Sequence, residues 1–296
     1  MTLFGLLEVI RQKELKGLTD FFDFHKDYIN TVMYNNGEAK NAQATIVSQN
    51  DDSYCFFQYK DDGHYCVTRP VNRRLYIDMD HFDEEIKVFS DIILNPQAVV
   101  SDMKKRTLIN RVVYSCQQSI GCTLDALNNS NTAKKQNGAY FEILIKEIVK
   151  ACGIDVTDSN KAVKIIGKES LKFERDIVLL KDGAEKALGQ LKTTSKDRVD
   201  KIFLDKVLYK KYVDNIPYFL IVLNDVQRSS NKSESNYKVS STFLPGHFKA
   251  YTMALDPLDG AFYVDPRQQM LDDDTLSKHI FSFDKFIVED MWKFIE

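Results

Sequence analysis

Residues 173–198 read FERDIVLLKDGAEKALGQLKTTSKDR. Two apolar runs flank Lys181-Asp182-Gly183, and an Asp-Gly pair between such runs signals a tight hairpin. FERDIVLLK and KALGQLKTT are therefore predicted as neighbouring strands. Side chains alternate along a strand with period two. Leu188, Gln190, Lys192 and Thr194 then share one side, with Gly189, Leu191 and Thr193 on the other. On the first strand Glu174, Asp176 and Val178 share a side, and closing the hairpin lays Asp176 beside Gln190 and Lys192.

A carboxylate, a second oxygen donor and an amine in one patch suit phosphodiester hydrolysis. The oxygens can hold Mg²⁺, which prefers oxygen ligands and keeps several waters. The amine of Lys192 can position a water or offset developing charge. The blander alternative is an ordinary Asp176–Lys192 ion pair at a sheet end.

Working outward, a helix is expected from Ala139 to Cys152, stopped by Gly153. AVKIIG adds a strand before the hairpin, and an amphipathic helix follows Asp197. The run Tyr218–Leu223 is continuously apolar, as in a strand covered on both faces. Phe248–Leu255 and Ala261–Val264 around DPLDG read as a further hairpin, and a closing amphipathic helix contains Trp292. Upstream, an amphipathic helix opens the chain, and SYCFFQYK and HYCVTRP flank Asp61-Asp62-Gly63 as a hairpin. RRLYIDM is a further expected strand, with helices over Phe82–Leu94 and Ala98–Gln118. The polar stretch DALNNSNTAKKQNG reads as a linker. Two parts are expected: an N-terminal α+β unit over 1–125 and an α/β core over 126–296, with a mixed central sheet flanked by helices.

Composition narrows the function classes. The chain has 296 residues, 44% hydrophobic and 28% charged, with a net charge of −3, a soluble globular profile. Its charge is uneven: basic residues outnumber acids from Lys161 to Lys211, and acids outnumber bases from Met253 onward. A basic catalytic segment suits phosphate contacts, although Lys201, Lys206, Lys210 and Lys211 also fit the wet face of a helix. No run approaches a membrane span, and the N-terminus reads as a helix rather than a signal peptide. The five cysteines are scattered without zinc spacing, so reduced core thiols and a cytoplasmic location are expected. His25, His64, His81, His247 and His279 sit in no motif, and neither Ser119 nor Ser170 has a nucleophile-elbow context.

With these residues in view, the chain resembles the PD-(D/E)XK nuclease superfamily, and type II restriction endonucleases in particular. Arg175-Asp176 matches the first half of the motif, with Arg where Pro is common. Gln190-Leu191-Lys192 matches the second, with an amide in place of the usual acid. LKTTSKDR (191–198) is similar to the strand end and helix start of several restriction enzymes, and NGAYFE supplies Glu142 in the place of a supporting helix acid. The resemblance runs from about Ala133 to Arg228. It implies a Mg²⁺-dependent, sequence-specific endonuclease on double-stranded DNA, acting as a homodimer. Asp176, Gln190, Lys192 and Glu142 would be catalytic. Asp176, Gln190 and Glu142 would be the metal ligands, with Glu174 as a further candidate, and Thr193, Ser195 and Arg198 would lie on DNA phosphate. Two rivals stand beside it: a nuclease of the same fold for methylated or branched DNA, and a non-catalytic DNA-binding protein.

Overall fold

The computed structural model of the chain describes residues 2–32, 34–35, 38–39, 45–61, 64–127, 130–158, 161–164, 170–195, 199–229 and 237–296. They divide into two compact units whose segments interleave along the sequence. Residues 1–92, 107–147 and 226–241 form the first, and 93–106, 148–225 and 242–296 the second. The boundary expected at 125/126 falls inside the first unit.

The hairpin of residues 177–194 anchors the second unit. Its sheet has six strands: β1 (Asp155–Thr157), β2 (Ile177–Lys181), β3 (Ala184–Thr194), β4 (Tyr218–Asn224), β5 (Gly260–Asp265) and β6 (Ile280–Ser282). Their order is β6-β5-β4-β3-β2-β1. The β1/β2 and β2/β3 pairs are antiparallel, and the remaining pairs are parallel. The sheet is therefore mixed, as expected. Between β2 and β3 the chain reverses through Asp182 (φ 53°) and Gly183 (φ 75°), with Lys181 paired to Ala184. Positive φ at both central positions matches the right-handed twist of the flanking strands.

Every residue of β4 is buried, which explains its unbroken apolar sequence. On one face Leu188, Tyr218, Leu220 and Val222 pack with Ile202, Phe203 and Phe248. On the other, the Phe219 ring lies 4.9 Å from Phe286 and 5.7 Å from Phe294. Gly189 faces that side. A Cβ there would lie 2.3 Å from the Phe219 ring and 2.7 Å from Ile177.

Several expectations are corrected. Strand β2 begins at Ile177, so residues 174–176 lie outside it. The Glu174 carbonyl accepts the Gln190 side chain, and the Arg175 side chain pairs with Glu185 at 2.7 Å. Both bonds draw the segment off the ladder. Lys161–Lys164 pairs with Ser170–Phe173 in a separate ribbon. Residues 245–254 form a helix rather than a hairpin arm, with Pro245 in its first turn. Phe248 and Tyr251, one turn apart, both pack on Phe203.

In the first unit, strands Tyr54–Asp61 and His64–Val67 pair as expected, with turn residues 62 and 63 outside the described residues. A helix not foreseen spans Leu18–Val32. RRLYIDM is not a strand. The side chain of Asn72 accepts the Arg74 N–H at 3.0 Å, and its carbonyl takes the Tyr76 N–H at 3.0 Å. That Asx-type turn bends the chain before a helix begins at Met79. The expected helix at 98–118 is a short 3₁₀ turn, Pro96–Val99, followed by a helix at Met103–Leu124. The Asn-rich stretch is mostly helix, running Ser130–Ala151. Asn137 is buried because Gln117 donates to both its main-chain and side-chain oxygens at 3.0 Å. Among the described residues no helix is long and apolar enough to cross a membrane.

Candidate active site

The site is built on the face of β3 that carries Leu188, Gln190 and Lys192. Asp176 lies at the bend just before Ile177, which pairs with Gly189. Its Oδ2 accepts the Leu191 main-chain N–H at 2.8 Å and a bond from Lys192 Nζ. Lys192 Nζ also donates to Gln190 Oε1 at 3.0 Å. Lys192 thus bridges Asp176 and Gln190, which brings together the three residues that the alternation predicts. Asp176 and Lys192 keep 15% and 19% of their side-chain surfaces exposed, so the pair remains open to a ligand.

Gln190 is buried, and its Nε2 donates to the Glu174 carbonyl at 2.7 Å and to the Tyr218 hydroxyl at 3.3 Å. The side chain of Glu174 is 73% exposed and pairs with Lys201 at 3.1 Å. Glu174 therefore enters the cluster through its main chain, whereas the period-two reading aligned its carboxylate with that of Asp176. Arg175, in the position where the resembled motif often has Pro, holds Glu185 from a buried position.

Glu142 belongs to the first unit, half-buried on the helix Ser130–Ala151, with Lys146 Nζ at 3.9 Å. Thr193 is half-buried and alternates to the side opposite Lys192. Ser195 is buried, its hydroxyl 2.9 Å from that of Tyr263, a core position rather than a phosphate-facing one. Arg198 lies outside the described residues.

Two residues of the site escaped the sequence reading. Tyr218 begins β4, and burial, followed by the charge of Asp205, pushes its phenol well up. Asp205 lies on the helix Val199–Tyr212, four residues from both Lys201 and Tyr209, a spacing that puts all three on one side. Lys201 reaches Glu174, and the Tyr209 ring lies 6.5 Å from that of Tyr218. Between them, Asp205 is half-buried. Burial raises its carboxyl above the ordinary carboxylate value, against the nearby charges of Lys201 and Lys192. Its one sequence signal is an acid four residues from Lys201 and from Tyr209 on a helix.

No group of three or more His, Cys, Asp or Glu suited to a metal ion occurs among the described residues. His25 in the first unit is fully buried between Ser119 Oγ at 2.7 Å and the Ile77 carbonyl at 3.1 Å. Burial pushes its imidazole down to about 3, which keeps it a neutral core group. Burial likewise pushes the thiols of Cys55 and Cys152 up to about 11 and about 12, so they are not activated nucleophiles.

No protein-family model matches the chain, and neither does any curated protein. Its structure is similar to the crystal structure of the type IIP restriction endonuclease Kpn2I, with a TM-score of 0.71 and 18% sequence identity. The match covers 99% of this chain and 97% of that one. The chain therefore has a restriction-endonuclease-like fold.

Proposed function

We propose that the chain is a Mg²⁺-dependent endonuclease that hydrolyses phosphodiester bonds of double-stranded DNA at a specific sequence. The observation that carries this reading is the Asp176–Gln190–Lys192 contact at the edge of β3, in a fold shared with a restriction enzyme.

The residues present suit a hard divalent cation. Asp176 uses Oδ2 for both of its hydrogen bonds, and its Oδ1 accepts none among the described residues. Gln190 Oε1 is a second, neutral oxygen beside the same ammonium. Mg²⁺ typically takes one or two protein carboxylates and fills its shell with water and substrate phosphate. Asp176 and Gln190 would hold it, and Asp205 is the nearby helix acid. When bound, the ion would polarise the phosphate and make a coordinated water more acidic.

The chain's own groups do the rest. Lys192 carries a positive charge to the position where negative charge develops on the phosphate oxygens. The Leu191 N–H and Lys192 together hold the Asp176 carboxylate in one rotamer, so its second oxygen is fixed before substrate arrives. Lys201 and Lys210 are exposed on the same helix as Asp205, paired with Glu174 and Asp256, and exchanging those carboxylates for DNA phosphates would supply backbone contacts that do not read sequence. Cutting both strands asks for two such sites, and a homodimer working in the cytoplasm supplies them.

A non-catalytic DNA-binding protein is the second reading, favoured by the amide at 190 and by the lack of a three-acid cluster among the described residues. A plasmid digest with Mg²⁺ and with EDTA separates the two. Discrete fragments that vanish with EDTA are expected. Smeared products would point to a non-specific nuclease, and DNA binding without any cutting would overturn the enzymatic reading.

A further inference from the structure

Position 190 carries an amide where the resembled motif carries an acid, and the surrounding hydrogen bonds explain why. The side chain lies between two groups of opposite and fixed character. The Glu174 carbonyl, 2.7 Å from Nε2, can only accept. The Lys192 ammonium, 3.0 Å from Oε1, can only donate. One orientation of the amide satisfies both, and the reverse orientation breaks both. The Tyr218 hydroxyl, itself buried, is a further partner of Nε2 at 3.3 Å.

We propose that Tyr218 is a positioning residue which, with the Glu174 carbonyl, locks the Gln190 amide so that its oxygen faces Lys192. The proposal rests on the nuclease reading for its catalytic consequence and on the hydrogen bonds alone for the lock. A Glu at this position has no N–H to give. Its carboxylate would set an oxygen 2.7 Å from the Glu174 carbonyl, so it must turn away, take up a proton or displace residues 174–176. The last of these carries Asp176. This site is thus built for an amide, and restoring the motif's usual acid weakens it rather than repairing it.

Tyr218 acts at one remove. Losing its hydroxyl leaves β4 pairing unchanged, because its main-chain N–H is held separately by Asp259 at 2.7 Å. The ring still packs against Tyr209. What changes is the restraint on the amide and hence the placement of Oε1 beside Lys192.

The test uses Tyr218→Phe and Gln190→Glu in the full chain, with ¹⁵N-labelled protein and a Mg²⁺ titration of DNA cleavage. The Gln190 side-chain NH₂ signal is identified by its loss in Gln190→Glu. In wild type it should exchange slowly with water, and in Tyr218→Phe it should shift and exchange several-fold faster. Cleavage by Tyr218→Phe should show kcat lower by about five- to tenfold, as expected for one neutral hydrogen bond. Its KM for DNA should stay within about twofold, since phosphate contacts lie elsewhere. Gln190→Glu should fall further and resist rescue by added Mg²⁺. An unchanged NH₂ signal in Tyr218→Phe, or wild-type cleavage by Gln190→Glu, would overturn the lock. A wild-type chain that cuts no DNA would defeat the nuclease reading instead, and the NH₂ signal would still decide the lock. Should Tyr218→Phe melt early, its NH₂ signal is read below its melting transition, where the same two outcomes decide.

Discussion

Asp176 serves two donors with one oxygen. Leu191 N–H and Lys192 share Oδ2, which leaves Oδ1 for a cation or a water. Asp176→Asn keeps an acceptor for the main-chain N–H but removes the charge that balances Lys192. Cleavage should fall by at least about a hundredfold, while DNA affinity in a gel shift stays near wild type, since affinity is spread over many basic contacts. Asp205→Asn should likewise lower cleavage, whereas Asp200→Asn, an exposed acid on the same helix, should not. Equal cleavage by Asp205→Asn and Asp200→Asn would remove Asp205 from the site. The difference in legibility between these acids has a physical origin. Asp176, Gln190 and Lys192 were readable because a two-residue turn and period-two alternation fix strand neighbours from local sequence. Asp205 and Tyr218 reach the same place through helix packing and parallel pairing, which no local spacing encodes.

At the scale of elements, β3 is shaped by both of its faces. The face with Gln190 and Lys192 is polar near its end, and the face with Gly189 is filled by the Phe219 ring. Gly189→Ala should destabilise the protein by about 1–3 kcal/mol, the usual cost of forcing a methyl into a packed core. Urea unfolding would register it as a lower midpoint with an unchanged slope. An unaltered midpoint would mean that the Phe219 ring swings aside freely. Polar residues buried in pairs hide a helix from local composition. Asn137 looked like linker chemistry, yet Gln117 satisfies it inside a helical pair. Composition cannot distinguish an amide meeting water from an amide meeting another amide.

Across the whole molecule, the two compact units are not successive blocks of sequence. The second recruits residues 93–106, where Arg106 binds Asp284 at 2.6 Å and Glu289 at 2.8 Å. A fragment starting at residue 126 strips buried Asp284 of that guanidinium, a loss of roughly 3–5 kcal/mol for a buried pair. Expressed alone, 126–296 should show no cooperative melting transition by circular dichroism. A sharp transition together with DNA cutting would establish the shorter piece as a self-sufficient core.

The sequence by itself determined the hairpin, the apolar β4 strand and the meeting of Asp176, Gln190 and Lys192. Each depends on residues close in the chain or on a burial pattern written directly into composition. Tertiary structure alone decided the strand order, the interleaving of the two units and the helix acid beside the site. It also decided that Gln190 faces an acceptor on one side and an ammonium on the other. These depend on partners distant in sequence, or on a bend that a ladder-based reading does not foresee. A side chain's chemistry is local, but the groups it must satisfy are chosen by the fold.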